Sequence, residues 1–101
     1  MKKTYCFDID GVLCSNTDGE YQNAIPDQSV ILKINKLYNE GHKIILFTAR
    51  GSTTSIDWRD MTKKQMSKWQ VCYHEIVFGK PYADVYIDDK AINVVDWIKE
   101  N

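Results

Sequence analysis

"MKKTYCFDIDGVLC" spans Met1 to Cys14. Thr4 to Ile9 is rich in aromatic and β-branched residues and predicts a strand. That strand ends by presenting two carboxylates, Asp8 and Asp10, with Gly11 directly behind them. Two anions so close repel, and burying either one unpaired costs several kcal/mol. The pattern therefore demands positive partners, and the remaining residues must supply them.

Downstream, "VLCSNTDGEYQNAIP" carries the tight-turn pair Asp18-Gly19 and predicts a small flap or hairpin over Val12 to Ala24. Val30, Ile31, Ile34, Leu37 and Tyr38 then recur at helical spacing, with Asp27 placed as N-cap and Gly41 as C-cap. "HKIILFTAR" is a short apolar run between Gly41 and Gly51, the length of a buried strand. A loop from Ser52 becomes a helix at about Trp58. "HEIVFG" predicts a third strand, "ADVYIDD" a fourth, and "KAINVVDWIKEN" a closing helix.

Helices alternating with apolar strands argue for a single three-layer α/β domain over residues 1–101, with a mainly parallel sheet of about four strands. In such sheets ligands bind beyond the carboxyl ends of the strands. Asp8 and Asp10 end the first strand, Thr48 ends the second, Lys80 follows the third, and Asp88 and Asp89 end the fourth. All the chemistry-bearing residues thus fall at one sheet edge.

Composition narrows the field. The chain has 101 residues and a formal net charge of −1, which gives no reason to expect nucleic acid or an acidic membrane as partner. No apolar run approaches the roughly 20 residues of a membrane span. The N-terminus passes straight into a strand pattern without a signal segment, which predicts a cytoplasmic protein. Three cysteines form no CxxC and no even framework, so reduced thiols are expected.

Four carboxylates, one lysine and one hydroxyl at one edge suit a hard divalent cation such as Mg2+, with Lys80 as the second positive partner. There is no cysteine–histidine cluster of the kind zinc prefers. An ionised carboxylate held this way can attack phosphorus, and its neighbour can move the proton. Thr48 and backbone N–H groups can hold phosphoryl oxygens, and Gly11 lets the chain turn without crowding them.

"DIDGVL" (Asp8 to Leu13), "FTAR" (Phe47 to Arg50), "GKP" (Gly79 to Pro81) and "YIDDK" (Tyr86 to Lys90) resemble the four ordered motifs of the haloacid dehalogenase-like (HAD) phosphatase superfamily. The wording "FGKPYADVYIDDKAI" is similar to small phosphatases associated with capsule and surface-polysaccharide genes. The resemblance implies a Rossmann-like HAD core. It implies Asp8 as nucleophile and metal ligand, and Asp10 as general acid/base that also lends the metal its carbonyl. Thr48 would bind the transferring phosphoryl group beside Gly11, Ala49 and Arg50. Lys80 would position Asp8, and Asp88 and Asp89 would bind Mg2+. The activity implied is Mg2+-dependent phosphomonoester hydrolysis through an aspartyl-phosphate, on a sugar phosphate or a glycan-linked phosphate.

The short flap and the tight Gly79-to-Tyr82 link leave no room for the cap domain many relatives carry. An uncapped site is covered either by a large substrate or by a second copy of the chain in a homo-oligomer, using the flap near Tyr21 or the loop Ser52 to Trp58.

A phosphotransferase shares the first half-reaction. A receiver-like module would place its phospho-acceptor mid-chain, where Thr48 stands, so the order argues against it. Dehalogenation usually lacks the second aspartate of the pair, so Asp10 argues against that. Arg50 is open to two roles, substrate contact or structural ion pair. Cys14 reads as a packing residue, and His42 and His74 as strand-boundary residues.

Overall fold

The computed structural model describes residues 1–54 and 56–100. Ser55, inside the loop named above, and Asn101, at the end of the predicted closing helix, lie outside the described residues.

Three parallel strands form the sheet: β1 (Thr4–Asp8), β2 (Lys43–Thr48) and β3 (Glu75–Phe78), in the order β1-β2-β3. Register is continuous, with Cys6 opposite Ile45 and Phe7 opposite Leu46, then Leu46 opposite Ile76. The three helices are α1 (Gln28–Asn39), α2 (Arg59–Lys68) and α3 (Val94–Lys99), and Tyr21–Asn23 form one 3-10 turn in the flap.

Local chemistry explains the boundaries. The Asp27 carboxylate accepts from the Ser29 and Val30 amides and so caps α1. Those bonds, the Ser29 hydroxyl foremost, hold its carboxyl below the usual range. Gly41 takes φ +94°, which lets the chain leave α1 with the His42 amide donating to the Leu37 carbonyl. His42 Nδ1 accepts from the Lys3 amide and His74 Nδ1 from the Ile44 amide, each at 3.0 Å. The two histidines thus extend the strand ladder at its entry.

Period-2 alternation along β2 buries Ile44, Leu46 and Thr48. Burying one aliphatic side chain of this kind stabilises by about 1.5–3 kcal/mol. Ile9, Leu13, Ile31, Ile34 and Met66 complete the same core. Trp97 of α3 packs on Phe7 with ring centroids 5.2 Å apart. Asn35 of α1 bonds the Gln70 carbonyl and the Cys72 amide just beyond α2. All three helices therefore lie on the face that carries Phe7 and Leu46.

This corrects the expected architecture in two respects. The fourth strand does not form: residues 83–89 carry no strand pairing, and Ile87 is 95% exposed. The sheet's other face is left half-open, with Cys6 exposed and Val77 46% exposed, so the described residues make two layers, not three. Local bonds compete with strand pairing here. The Tyr86 hydroxyl donates to the Pro81 carbonyl and accepts from the Ala83 amide, and the Asp88 carboxylate accepts from the Lys90 amide. Between them these bonds curl the segment in place of an extended strand. Among the described residues no cap domain is inserted, and no helix is long and apolar enough to cross a membrane.

Candidate functional site

The carboxyl end of the sheet opens into a cleft of about 760 Å3 whose floor includes Asp8, Asp10, Ala49 and Arg50. Asp8 is the last residue of β1. Its Oδ1 accepts from the Ile9 amide at 2.8 Å and its Oδ2 from Lys80 Nζ at 2.5 Å. The Lys80 amide in turn donates to the Thr48 carbonyl, so β2 carries the lysine to the end of β1. The ammonium also lies 4.0 Å from the Tyr86 ring centre and 4.7 Å from that of Phe47. One strand end thus holds an ionised carboxylate against a single oriented ammonium.

Past Asp8 the chain winds into one tight turn, with the Leu13 amide donating to the Ile9 carbonyl and the Gly11 amide to the Cys14 carbonyl. Gly11 takes φ +88°, and a Cβ there would come within 3.0 Å of the Asn16 amide group. The left-handed backbone favours glycine at this position, whereas the Asn16 side chain could move aside. The turn presents the Asp10 carboxylate to the cleft two residues after Asp8.

Asp10 is clamped by Arg50. Nε and Nη2 donate to its two oxygens, each at 2.9 Å. Nη1 donates to Thr62 Oγ1 at 3.0 Å and to Gln65 Oε1 at 2.7 Å, and Nη2 also faces Cys14 Sγ at 4.0 Å. These acceptors account for all five guanidinium donors. The Tyr21 ring covers the guanidinium at 4.5 Å, and Gln65 Nε2 donates to the Tyr21 carbonyl. Of the two roles left open for Arg50, the geometry is that of the ion pair.

Thr48 is buried, and its hydroxyl accepts from the Arg50 amide at 3.0 Å. It shapes the turn that aims Arg50. Burial, with Asp10 beside it, pushes the Cys14 thiol up to about 12, so it packs as an inert neutral group. Burial first and Asp10 second also raise the Tyr21 phenol above its ordinary value.

Of the predicted residues, Asp8, Asp10, Ala49 and Arg50 line the cleft, Lys80 reaches Asp8, Thr48 is buried beneath Arg50, and Gly11 stands in the turn beside them. Asp88 and Asp89 do not join them: both are exposed in the unpaired segment. Among the described residues no three His, Cys, Asp or Glu side chains gather in a way that could hold a metal ion. Asp8 and Asp10 are the right hard oxygens for Mg2+, yet each already has a cation of its own, and the arrangement described does not complete a Mg2+ site. Thr62, Gln65 and the Tyr21 ring were not singled out from sequence as partners of Arg50. They lie 12, 15 and 29 positions from it, and only the fold aligns them.

No family model and no curated protein matches the chain. A crystal structure of an MCSG target from Vibrio cholerae superposes with a TM-score of 0.86 and is 29% identical, over 100% of this chain and 90% of that one. A chain of the Pnkp1/Rnl/Hen1 complex superposes with a TM-score of 0.65 at 19% identity, over 99% of this chain but 35% of that one. The second likeness is one of fold alone.

Proposed function

We propose that the protein hydrolyses phosphate monoesters through an aspartyl-phosphate on Asp8, as its resemblance to HAD-like phosphatases implies. The observation that carries this reading is the Asp8–Lys80 ion pair at the cleft floor, two residues before an arginine-clamped Asp10. Asp8 Oδ2 attacks phosphorus, the ester P–O bond breaks, and the leaving oxygen takes a proton from Asp10, which must first release one of its oxygens from Arg50 and take up that proton from solvent. Asp10 then removes a proton from water as that water attacks the aspartyl-phosphate, releasing inorganic phosphate and regenerating Asp8.

The chain's own residues supply order for these steps. Lys80 offsets charge on the attacking carboxylate, and Arg50 holds both Asp10 oxygens in one plane. Ala49 and Gly51 line the cleft beside Asp8 and Asp10, and their backbone amides would donate to the phosphoryl oxygens. The Mg2+ requirement and the finer HAD architecture belong to the same proposal. Asp88 or Asp89 would join Asp8 only if residues 83–89 moved to the free edge of β1, and no step above is routed through the metal.

The test is acid-quenched mass spectrometry during turnover of phenyl phosphate. A phosphoryl adduct on the peptide carrying Asp8, absent in Asp8→Asn, supports the proposal. Turnover by pure Asp8→Asn near the wild-type rate would remove Asp8 as nucleophile.

A further inference from the structure

For Asp10 to move a proton, one of its oxygens must come free of Arg50 while the other stays oriented. That depends on whether the guanidinium stays in place as the carboxylate turns. Arg50 is buried, and its donors point to opposite sides. Nε and Nη2 hold Asp10, each at 2.9 Å. Nη1 is held by Thr62 Oγ1 and Gln65 Oε1. Thr62 and Gln65 are neighbours on one face of α2. The Tyr21 ring covers the guanidinium carbon at 4.5 Å, and it meets Trp58, just before α2, edge to face at 4.9 Å.

Within this cage Gln65 is bonded in two directions. Its Oε1 accepts from Arg50 Nη1 at 2.7 Å, and its Nε2 donates to the Tyr21 carbonyl at 2.6 Å. A guanidinium only donates and a carbonyl only accepts, so these partners admit a single orientation of the amide. A carboxylate or an aliphatic side chain would lose at least one of the two bonds. One half-buried residue of α2 therefore fixes both the guanidinium and the flap residue that covers it. Gln65 does not line the cleft: it faces a separate groove with Gln22, Met61 and Trp69.

We infer that Gln65 is a positioning residue for the acid–base step, acting through Arg50 and Tyr21. It keeps the guanidinium a fixed pivot, so that Asp10 turns one oxygen toward the cleft while the other remains bonded. With the amide removed, the flap is untied from α2 and Nη1 keeps Thr62 alone. The guanidinium then follows the carboxylate, and the freed oxygen is no longer presented in one place. Misplacing a reacting group by about 1 Å can cost about 100-fold in rate. The inference rests on the phosphatase reading above and adds to it a residue outside the cleft.

Leaving-group dependence tests it. Phenyl phosphate needs a proton on its departing oxygen, whereas the phenolate of 2,4-dinitrophenyl phosphate is a stable anion and leaves without one. For each ester kcat/KM reports only the steps up to departure of the leaving group, so later hydrolysis of the aspartyl-phosphate does not enter. Gln65→Met keeps the length and helix propensity of the side chain and removes both bonds. It should lower kcat/KM for phenyl phosphate by about tenfold or more, and that for the dinitrophenyl ester by less than about threefold, as weakened proton transfer requires. Gln65→Glu keeps an acceptor for Arg50 but sets a carboxylate against the Tyr21 carbonyl. It should shift the ratio in the same direction, and it carries the test if Gln65→Met does not fold. Equal losses on the two esters would make the role of Gln65 structural only, and an unchanged ratio in the folded variants would remove it from the acid–base step. Either result overturns the inference and leaves the phosphatase reading standing. Wild-type protein that hydrolyses neither ester would overturn the phosphatase reading itself, and the inference with it.

Discussion

Arg50 is the residue whose removal should be felt most widely, because its side chain is 0% exposed while that of Asp10 is 19% exposed. Arg50→Met keeps most of the volume and strips the charge. It leaves Asp10 unpaired and takes donors from Thr62 and Gln65. Breaking a buried pair by removing one partner costs about 3–5 kcal/mol, and the partial exposure of Asp10 moves the expectation to about 2–4 kcal/mol. For a domain of this size that lowers Tm by about 10–20 °C, within what a fold of ordinary stability survives. Asp10→Asn should cost a similar amount, since it leaves a fully enclosed guanidinium facing a neutral amide. The double variant has no orphaned charge. Its loss should therefore fall short of the sum of the singles by about 2 kcal/mol or more. Urea unfolding of the four proteins, followed by circular dichroism, measures this cycle. Single losses that add to within about 0.5 kcal/mol would show that the pair is not coupled and that Arg50 does not hold Asp10. Arg50→Lys, which cannot fork across two oxygens, should recover part of the stability and little of the turnover.

Three further outcomes follow from the same geometry. Lys80→Met should lower kcat for phenyl phosphate by about 100-fold or more with a smaller change in KM, since charge stabilisation in the transition state is what is lost; a change confined to KM would make Lys80 a substrate tether. Chelation should silence hydrolysis and added Mg2+ restore it, and full activity after exhaustive chelation would refute the metal requirement while leaving Asp8 and Lys80 in place. Iodoacetamide should alkylate exposed Cys6 in the native protein and spare Cys14, whose thiol is held near 12; because that value lies above the unfolded one, the stability Cys14 contributes is present below about pH 9 and is lost as pH rises through the folded value, so early alkylation of Cys14 at neutral pH would show that its enclosure is not stable.

The cleft floor was legible in the sequence for a definite reason. Asp8, Thr48 and Lys80 each follow an apolar run short enough to be a strand, and parallel strands bring their carboxyl ends to one edge. Asp27 and Gly41 marked the ends of α1 because capping is chemistry of single residues and their immediate neighbours. The guanidinium cage was not legible. "FTAR" places Arg50 just past β2, but Thr62 and Gln65 become its partners only through the rotation of α2 about its own axis, and Tyr21 only through the path of the flap. Hydrophobic periodicity in α2 reveals the face that buries Met66 and says nothing of which polar side chain meets a guanidinium.

Residues 83–89 mark where the reading from sequence and the structure part, and the physics of strands says why. "ADVYIDD" alternates as a strand should, yet strand propensity measures the fit to a pleated, half-buried surface and is not a property of the segment alone. A strand forms when an edge receives it, and the ladder bonds must then outweigh the local bonds that Tyr86 and Asp88 already make. Such an edge exists on β1, which pairs with β2 on one side only. Val85 and Ile87, 72% and 95% exposed, are the kind of side chains a sheet face buries. Disrupting the local bonds by Tyr86→Phe therefore bears directly on the question. It removes the hydroxyl and keeps the ring over Lys80. If the segment is held off the sheet by those bonds, amide exchange across residues 84–88 should slow in Tyr86→Phe, and slow further with Mg2+ if Asp88 then reaches the cleft. Unchanged exchange in both conditions would mean that the segment has no affinity for the β1 edge, and that Asp88 and Asp89 serve no metal at Asp8.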